Sequence, residues 1–157
     1  MAINIGINEA DRAAVVEELK KIQADEFILY TKTWNFHWNV TGMNFNDLHG
    51  FFQGHYELLQ DFVDSVAERI RKLDHTAPGT LSEFIKLTRL GEMPGEKHSD
   101  KEMISLLLED HEALIISLRN ALDLTQKHND MGTNNFLTDL MEKHEKMAWM
   151  LRAYLNK

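Results

Sequence analysis

Four stretches of helical periodicity, separated by a short link, a long link and a short link, restrict this chain to very few architectures. The first runs from about Asn8, which reads as an N-cap with Asp11 three residues on, to about Trp38. It carries Leu19, Ile22, Phe27, Tyr30 and Trp34 along one face. "TGMN" ends it, and the second starts near Asn46 and reaches about Leu73, with Phe52, Tyr56, Leu59, Val63, Val66 and Ile70 in a nearly heptad stripe. "HTAPG" follows. The third begins at Ser99, whose "SDKE" capping box puts Glu102 at the reciprocal position, and carries Ile104, Leu108, Ile115, Leu118 and Leu122. It ends before "KHNDMGTNN", and the fourth runs from about Thr133 to Leu155, with Leu137, Leu140, Met141, Met147, Leu151 and Tyr154 inward.

Short links force antiparallel neighbours, whereas a long link permits a crossover. The middle link, residues 74 to 98, is long and contains "TLSEFIKL", a short helix whose Phe84, Ile85 and Leu87 need somewhere to bury. Two antiparallel pairs joined by one crossover describe an all-α, ferritin-like four-helix bundle, with a short helix between the second and third long ones. A bundle with short loops throughout is the alternative. At 157 residues the chain reads as a single domain, 1 to 157, that hides roughly 70% of its unfolded surface.

Composition narrows the chemistry. The chain has no cysteine, which removes disulfides, thiolate ligands and Cys nucleophiles and leaves His and carboxylates for any borderline or hard metal. No apolar run is long enough to span a membrane, and the N-terminus lacks a secretory pattern, so a cytoplasmic location is expected. The formal charge of −8 opposes phosphate contact. Arg12 is the one positive side chain in the first twelve residues and "LRAYLNK" adds only Arg152 and Lys157, so neither end is a basic arm.

Metal-binding bundles of this type use Glu-x-x-His pairs facing the core, and no histidine of this chain has a Glu or Asp three residues before it. A standard di-iron centre inside one bundle is therefore not expected. His111 and His144, near the apolar stripes of the last two helices, read as satisfied, partly buried core histidines, since neither has a second ligand one turn away. The second helix says more. Relative to His49, Gln53 lies about 40° round, Asp64 about 60° and Glu68 about 100°, so the four share a face. His49 and Asp64 are nevertheless about 22 Å apart along the axis, too far to bind one ion in one chain. The turn near Gly42 brings His37 level with His49, so that these two can converge.

A two-fold axis near the middle of this helix would lay the Asp64 and Glu68 end of one subunit on the His37 and His49 end of another. Two histidines with two carboxylates suit Fe(II), with Zn(II) or Mn(II) as further occupants. By spacing alone a second reading stays open: Asp64 and Glu68 as a solvated face beside Arg71 and Lys72, and the histidines as structural residues at a helix junction.

In "FHWNVTGMNFNDLH", "DSVAERI" and the closing "KMAWMLRAYL", the sequence resembles the Dps family, the mini-ferritins named as DNA-binding proteins from starved cells, over nearly its whole length. The resemblance implies a homododecameric shell built from two-fold dimers that oxidises Fe(II) with hydrogen peroxide or oxygen, stores ferric mineral and protects against oxidative damage. It implies His37 and His49 from one subunit with Asp64 and Glu68 from the other as catalytic iron ligands. Trp38 matches a tryptophan close to the iron that can intercept radicals, and the "TLSEFIKL" segment matches one packed at the dimer contact.

Three departures stand out. Gln53 replaces a common aspartate, a weaker ligand that Glu57 is better oriented than His55 to supplement. Gly50 and Gly54 replace residues that are often acidic. In the region of the family's three-fold pore, Asp130 and Asp139 are the candidate iron guides. The family's other activity, DNA binding, often uses a basic tail. Twelve chains at −8 each carry about −96, so DNA binding is not expected. A nucleoid-protecting DNA binder with weak or no ferroxidase activity is the competing reading, and a catalytically silent shell a third.

Overall fold

The computed structural model describes residues 3–95 and 97–156; Lys157 lies outside them. Five helices appear among these residues: α1 (Glu9–Asn39), α2 (Phe45–Lys72), α3 (Leu81–Leu87), α4 (Asp100–Lys127) and α5 (Met131–Tyr154). α1 packs against α2 and α4 against α5, with the crossover carrying α3 against α1. This is the four-helix bundle with a long crossover expected from the link lengths.

The caps lie where the sequence signals put them. Asn8 Oδ1 accepts from the Asp11 N–H at 2.9 Å, and Thr80 and Ser99 form full capping boxes with Glu83 and Glu102. The last helix differs: α5 starts at Met131, two residues before the expected Thr133. Its N-cap is Asp130, whose Oδ1 accepts from the Thr133 N–H at 2.9 Å. Asn129, at φ 55°, turns the chain so sharply that "KHNDMGTNN" contains only a three-residue link.

Leu19, Ile22, Leu29, Phe52, Leu59, Leu107, Leu118 and Leu137 are fully or almost fully buried in one continuous core. The crossover is tied to α1 by polar contacts rather than by apolar burial alone. Asp25, itself buried, accepts from Thr88 Oγ1 (2.9 Å), the Arg89 N–H (2.6 Å) and Arg89 Nε (2.8 Å). A buried carboxylate is tolerable when its lone pairs are met in this way. Phe84 of α3 stacks on Phe27 with ring centroids 4.4 Å apart, whereas Leu81 and Ile85 of the same helix are exposed. A single chain thus buries only part of the apolar face of α3. No helix is long and apolar enough to cross a membrane among the described residues.

Candidate metal centre

The junction between α1 and α2 builds the site from backbone outward. α1 ends at Asn39, and Gly42 takes φ +118°, a conformation that a side chain would strain. Because His37 is in the last turn of α1, its carbonyl has no i+4 partner within the helix. His49 Nδ1–H donates to that carbonyl at 2.8 Å, and His37 Nδ1–H donates to the His49 carbonyl at 2.8 Å. The two rings stack with centroids 3.8 Å apart at 19°.

These reciprocal bonds assign the tautomers. With the ring proton of each neutral imidazole held on Nδ1 by a carbonyl, each Nε2 carries its lone pair outward, which is how a metal-ligating histidine is usually oriented. Phe45 stacks on His49 at 5.1 Å and Tyr56 meets His37 edge-on at 5.2 Å, so the pair is clamped from both sides. Neither clamp was named from sequence. Tyr56 follows His49 by seven residues on α2, a same-face spacing that could have found it.

Asp64 and Glu68 lie farther along α2, both exposed, with Glu68 3.9 Å from Lys72. Asp64 borders a hollow of about 430 Å³ shared with Phe27, Tyr30, Gln60 and Phe84. Among the described residues, no three His, Cys, Asp or Glu side chains of one chain are gathered to hold a metal ion. His37 and His49 are therefore brought together, and the two carboxylates are not brought to them within one subunit.

Gln53 Nε2 donates to Glu57 Oε1 at 2.8 Å, which leaves the amide oxygen as its free ligand atom. Trp38 is largely exposed, with its ring 4.4 Å from Trp34. The two pore candidates part company. Asp139 is exposed and paired with Lys143 at 2.6 Å. Asp130 is buried, accepting from Thr133 Oγ1 (2.5 Å) and Arg69 (3.0 Å) as well as capping α5, so its carboxylate is committed to structure.

Comparison with known proteins agrees with the fold. The family described as "Ferritin-like domain" matches residues 16–157. The DNA protection during starvation protein of Helicobacter pylori is 38% identical over 88% of this chain and 96% of its own length. The chain belongs to the Dps family of ferritin-like proteins. A low temperature-induced protein of a Nostoc species, itself uncharacterised, is 40% identical over 98% of this chain and 86% of its own. The crystal structure of the Dps protein from Vibrio cholerae O1, described as one of the ferritin-like diiron-carboxylate proteins, superposes with a TM-score of 0.92 at 28% identity. It covers 99% of this chain and 98% of that one.

Membership of the Dps family accounts for the crossover and for α3. The core histidines depart from expectation. The sequence predicts His111 and His144 as satisfied, partly buried histidines. Both are instead fully buried and joined at 2.9 Å, His144 also bonds Glu26 at 2.8 Å, and His111 Nε2 has no partner among the described residues.

Proposed function

We propose that this Dps-family chain is a ferroxidase and iron store whose sites lie between two-fold-related subunits. His37 and His49 of one subunit would bind Fe(II) together with Asp64 and Glu68 of the partner subunit, with the Gln53 amide oxygen as a weak further ligand. The observation that carries this reading is the stacked histidine pair, whose reciprocal carbonyl bonds occupy both Nδ1 atoms and leave the two Nε2 atoms as the ligating positions. The exposed Leu81 and Ile85 of α3 offer an apolar surface for such a two-fold contact.

The chemistry is Fe(II) oxidation. Two Fe(II) each give up one electron to hydrogen peroxide, the O–O bond breaks, and with two protons taken up from solvent both oxygens become water. Hydrolysis of the Fe(III) product releases protons. The chain's own part is to hold Fe(II) against the imidazoles, lower its reorganisation on oxidation by a rigid clamp, and keep aromatic rings nearby. Trp38 and Trp34 are the oxidisable groups placed to absorb stray one-electron oxidants. Ferric product would collect inside a dodecamer in the cytoplasm, with Asp139 the better placed of the two pore candidates. Zn(II) and Mn(II) are competing occupants of the same ligand set.

Anaerobic Fe(II) loading followed by peroxide, read as ferric absorbance, tests the site. His37→Ala/His49→Ala and Asp64→Asn/Glu68→Gln are each expected to lose at least about tenfold in rate. Sharing makes a sharper demand: the two inactive variants, dissociated, mixed and reassembled, should regain about a quarter of the original rate. Random pairing makes half the dimers mixed, and each mixed dimer has one intact site of two. Equal rates in the original and the histidine variant would eliminate the site, and no recovery on mixing would eliminate its sharing.

A further inference from the structure

A second group of ionisable side chains occupies the middle of the bundle, one from each long helix: Glu26 on α1, His55 on α2, His111 on α4 and His144 on α5. Glu26, His111 and His144 have no exposed surface and His55 is 4% exposed. Three of them form a chain. His144 Nε2–H donates to Glu26 Oε1 at 2.8 Å, and His111 Nδ1–H donates to His144 Nδ1 at 2.9 Å. With the carboxylate as terminal acceptor, the single proton of each neutral ring is committed, and His111 Nε2 is left as a bare lone pair.

That atom, Glu26 Oε2 and both ring nitrogens of His55 are buried without a hydrogen-bond partner among the described residues. An orphaned buried polar atom is destabilising, so several in one place point to an occupant. The His55 and His111 rings are 6.0 Å apart between centroids and nearly perpendicular, at 79°. Two imidazoles bonded through nitrogen to one ion, at ~2.0–2.1 Å each, place their centroids roughly 5–6 Å apart. Burial, and then the neighbouring His144, pushes the His55 imidazole down to about 4 and His111 well below its ordinary value. His55 also borders a hollow of about 420 Å³ between α2 and α5 that is open to solvent. Lys143 and Lys146 border the same hollow, and Asp139 neutralises the first.

We propose that His55 and His111 bind one borderline divalent cation per chain inside the bundle, with Zn(II) or Fe(II) as the fitting class and water from the hollow completing the coordination. The His144 ring, anchored on Glu26, holds His111 in the ligating tautomer, as a carboxylate–histidine partner does at known metal sites. This site is separate from the His37 and His49 pair, because on α2 the His55 direction is about 240° round from His49 and turns into the bundle. It requires neither the shared centre nor ferroxidase activity.

The test uses chelator-stripped, full-length His37→Ala/His49→Ala protein, titrated with Zn(II) and with Co(II) and counted by equilibrium dialysis. About one equivalent per chain should be retained, with a visible Co(II) spectrum of imidazole ligation. That equivalent should disappear in His55→Leu and, separately, in His111→Gln, at unchanged helical circular dichroism. Zinc-edge anomalous diffraction from the His37→Ala/His49→Ala protein decides the matter even if either core variant fails to fold, and a peak between His55 and His111 is expected. No retained equivalent, an equivalent that survives both substitutions, or no peak at that position overturns the proposal and leaves water as the occupant.

Discussion

At Gly42 the backbone holds φ +118°, and nothing lies within 4 Å of where a Cβ would be. Gly42→Ala therefore meets no clash, and its cost is backbone strain alone, about 1–3 kcal/mol. The turn sets how far His37 and His49 reach each other's carbonyls, so the same substitution should slow Fe(II) oxidation as well as lower the thermal midpoint. Unchanged values of both would show that the junction tolerates a different path. Gln53 is the other informative residue. Replacing its neutral amide with the carboxylate of Gln53→Asp should tighten Fe(II) binding roughly tenfold, about 1.4 kcal/mol, as measured by anaerobic titration. The convergence of His37 and His49 was legible from the turn signal and a twelve-residue spacing. Their tautomers were not, because these depend on which backbone carbonyl each ring meets across the junction.

Among the elements, α5 shows how a buried cap moves a boundary. Asp130 caps the helix and also meets Arg69 of α2, which donates to Thr133 Oγ1 at 2.8 Å as well. From sequence, "HNDMGTNN" offers several capping residues, and only the position of Arg69 across the bundle selects Asp130. Asp130→Ala should cost about 2–4 kcal/mol, combining a lost cap with a partly buried guanidinium left without its carboxylate. Chemical denaturation would read this as a lower midpoint at unchanged slope. A loss below about 0.5 kcal/mol would mean that Arg69 finds another acceptor. The short α3 was legible from "TLSEFIKL", though its Thr80–Glu83 capping box was not read there. The division of its apolar residues was not, since Phe84 stacks on Phe27 while Ile85 stays exposed, and that depends on where the crossover is tied to Asp25.

For the whole molecule, the buried histidines make stability depend on pH in the metal-free state. The folded His55 value of about 4 lies below the ordinary 6.5, so between those limits the unfolded chain binds a proton that the folded one does not. Its contribution is fully present above about pH 6.5 and is lost as pH falls toward 4, on the order of 3 kcal/mol for this group. His111 adds in the same direction. Denaturation midpoints in chelator should fall across that window, and His55→Leu should flatten the slope; an unaltered slope would remove His55 as its source. In solution, a chain whose formal charge is −8 should leave plasmid unretarded at low to moderate salt without added metal, and retention there would revive the DNA-binding reading. The sequence by itself determined four helices, their pairing and the crossover, because periodicity, caps and link lengths are local properties of the chain. It also determined that His49 and Asp64 could not meet within one subunit, because helical rise is the same in every helix. Only the tertiary structure decided that Glu26, His55, His111 and His144, which share no sequence spacing, come together in one core, because each belongs to a different helix and bundle packing alone brings those faces level.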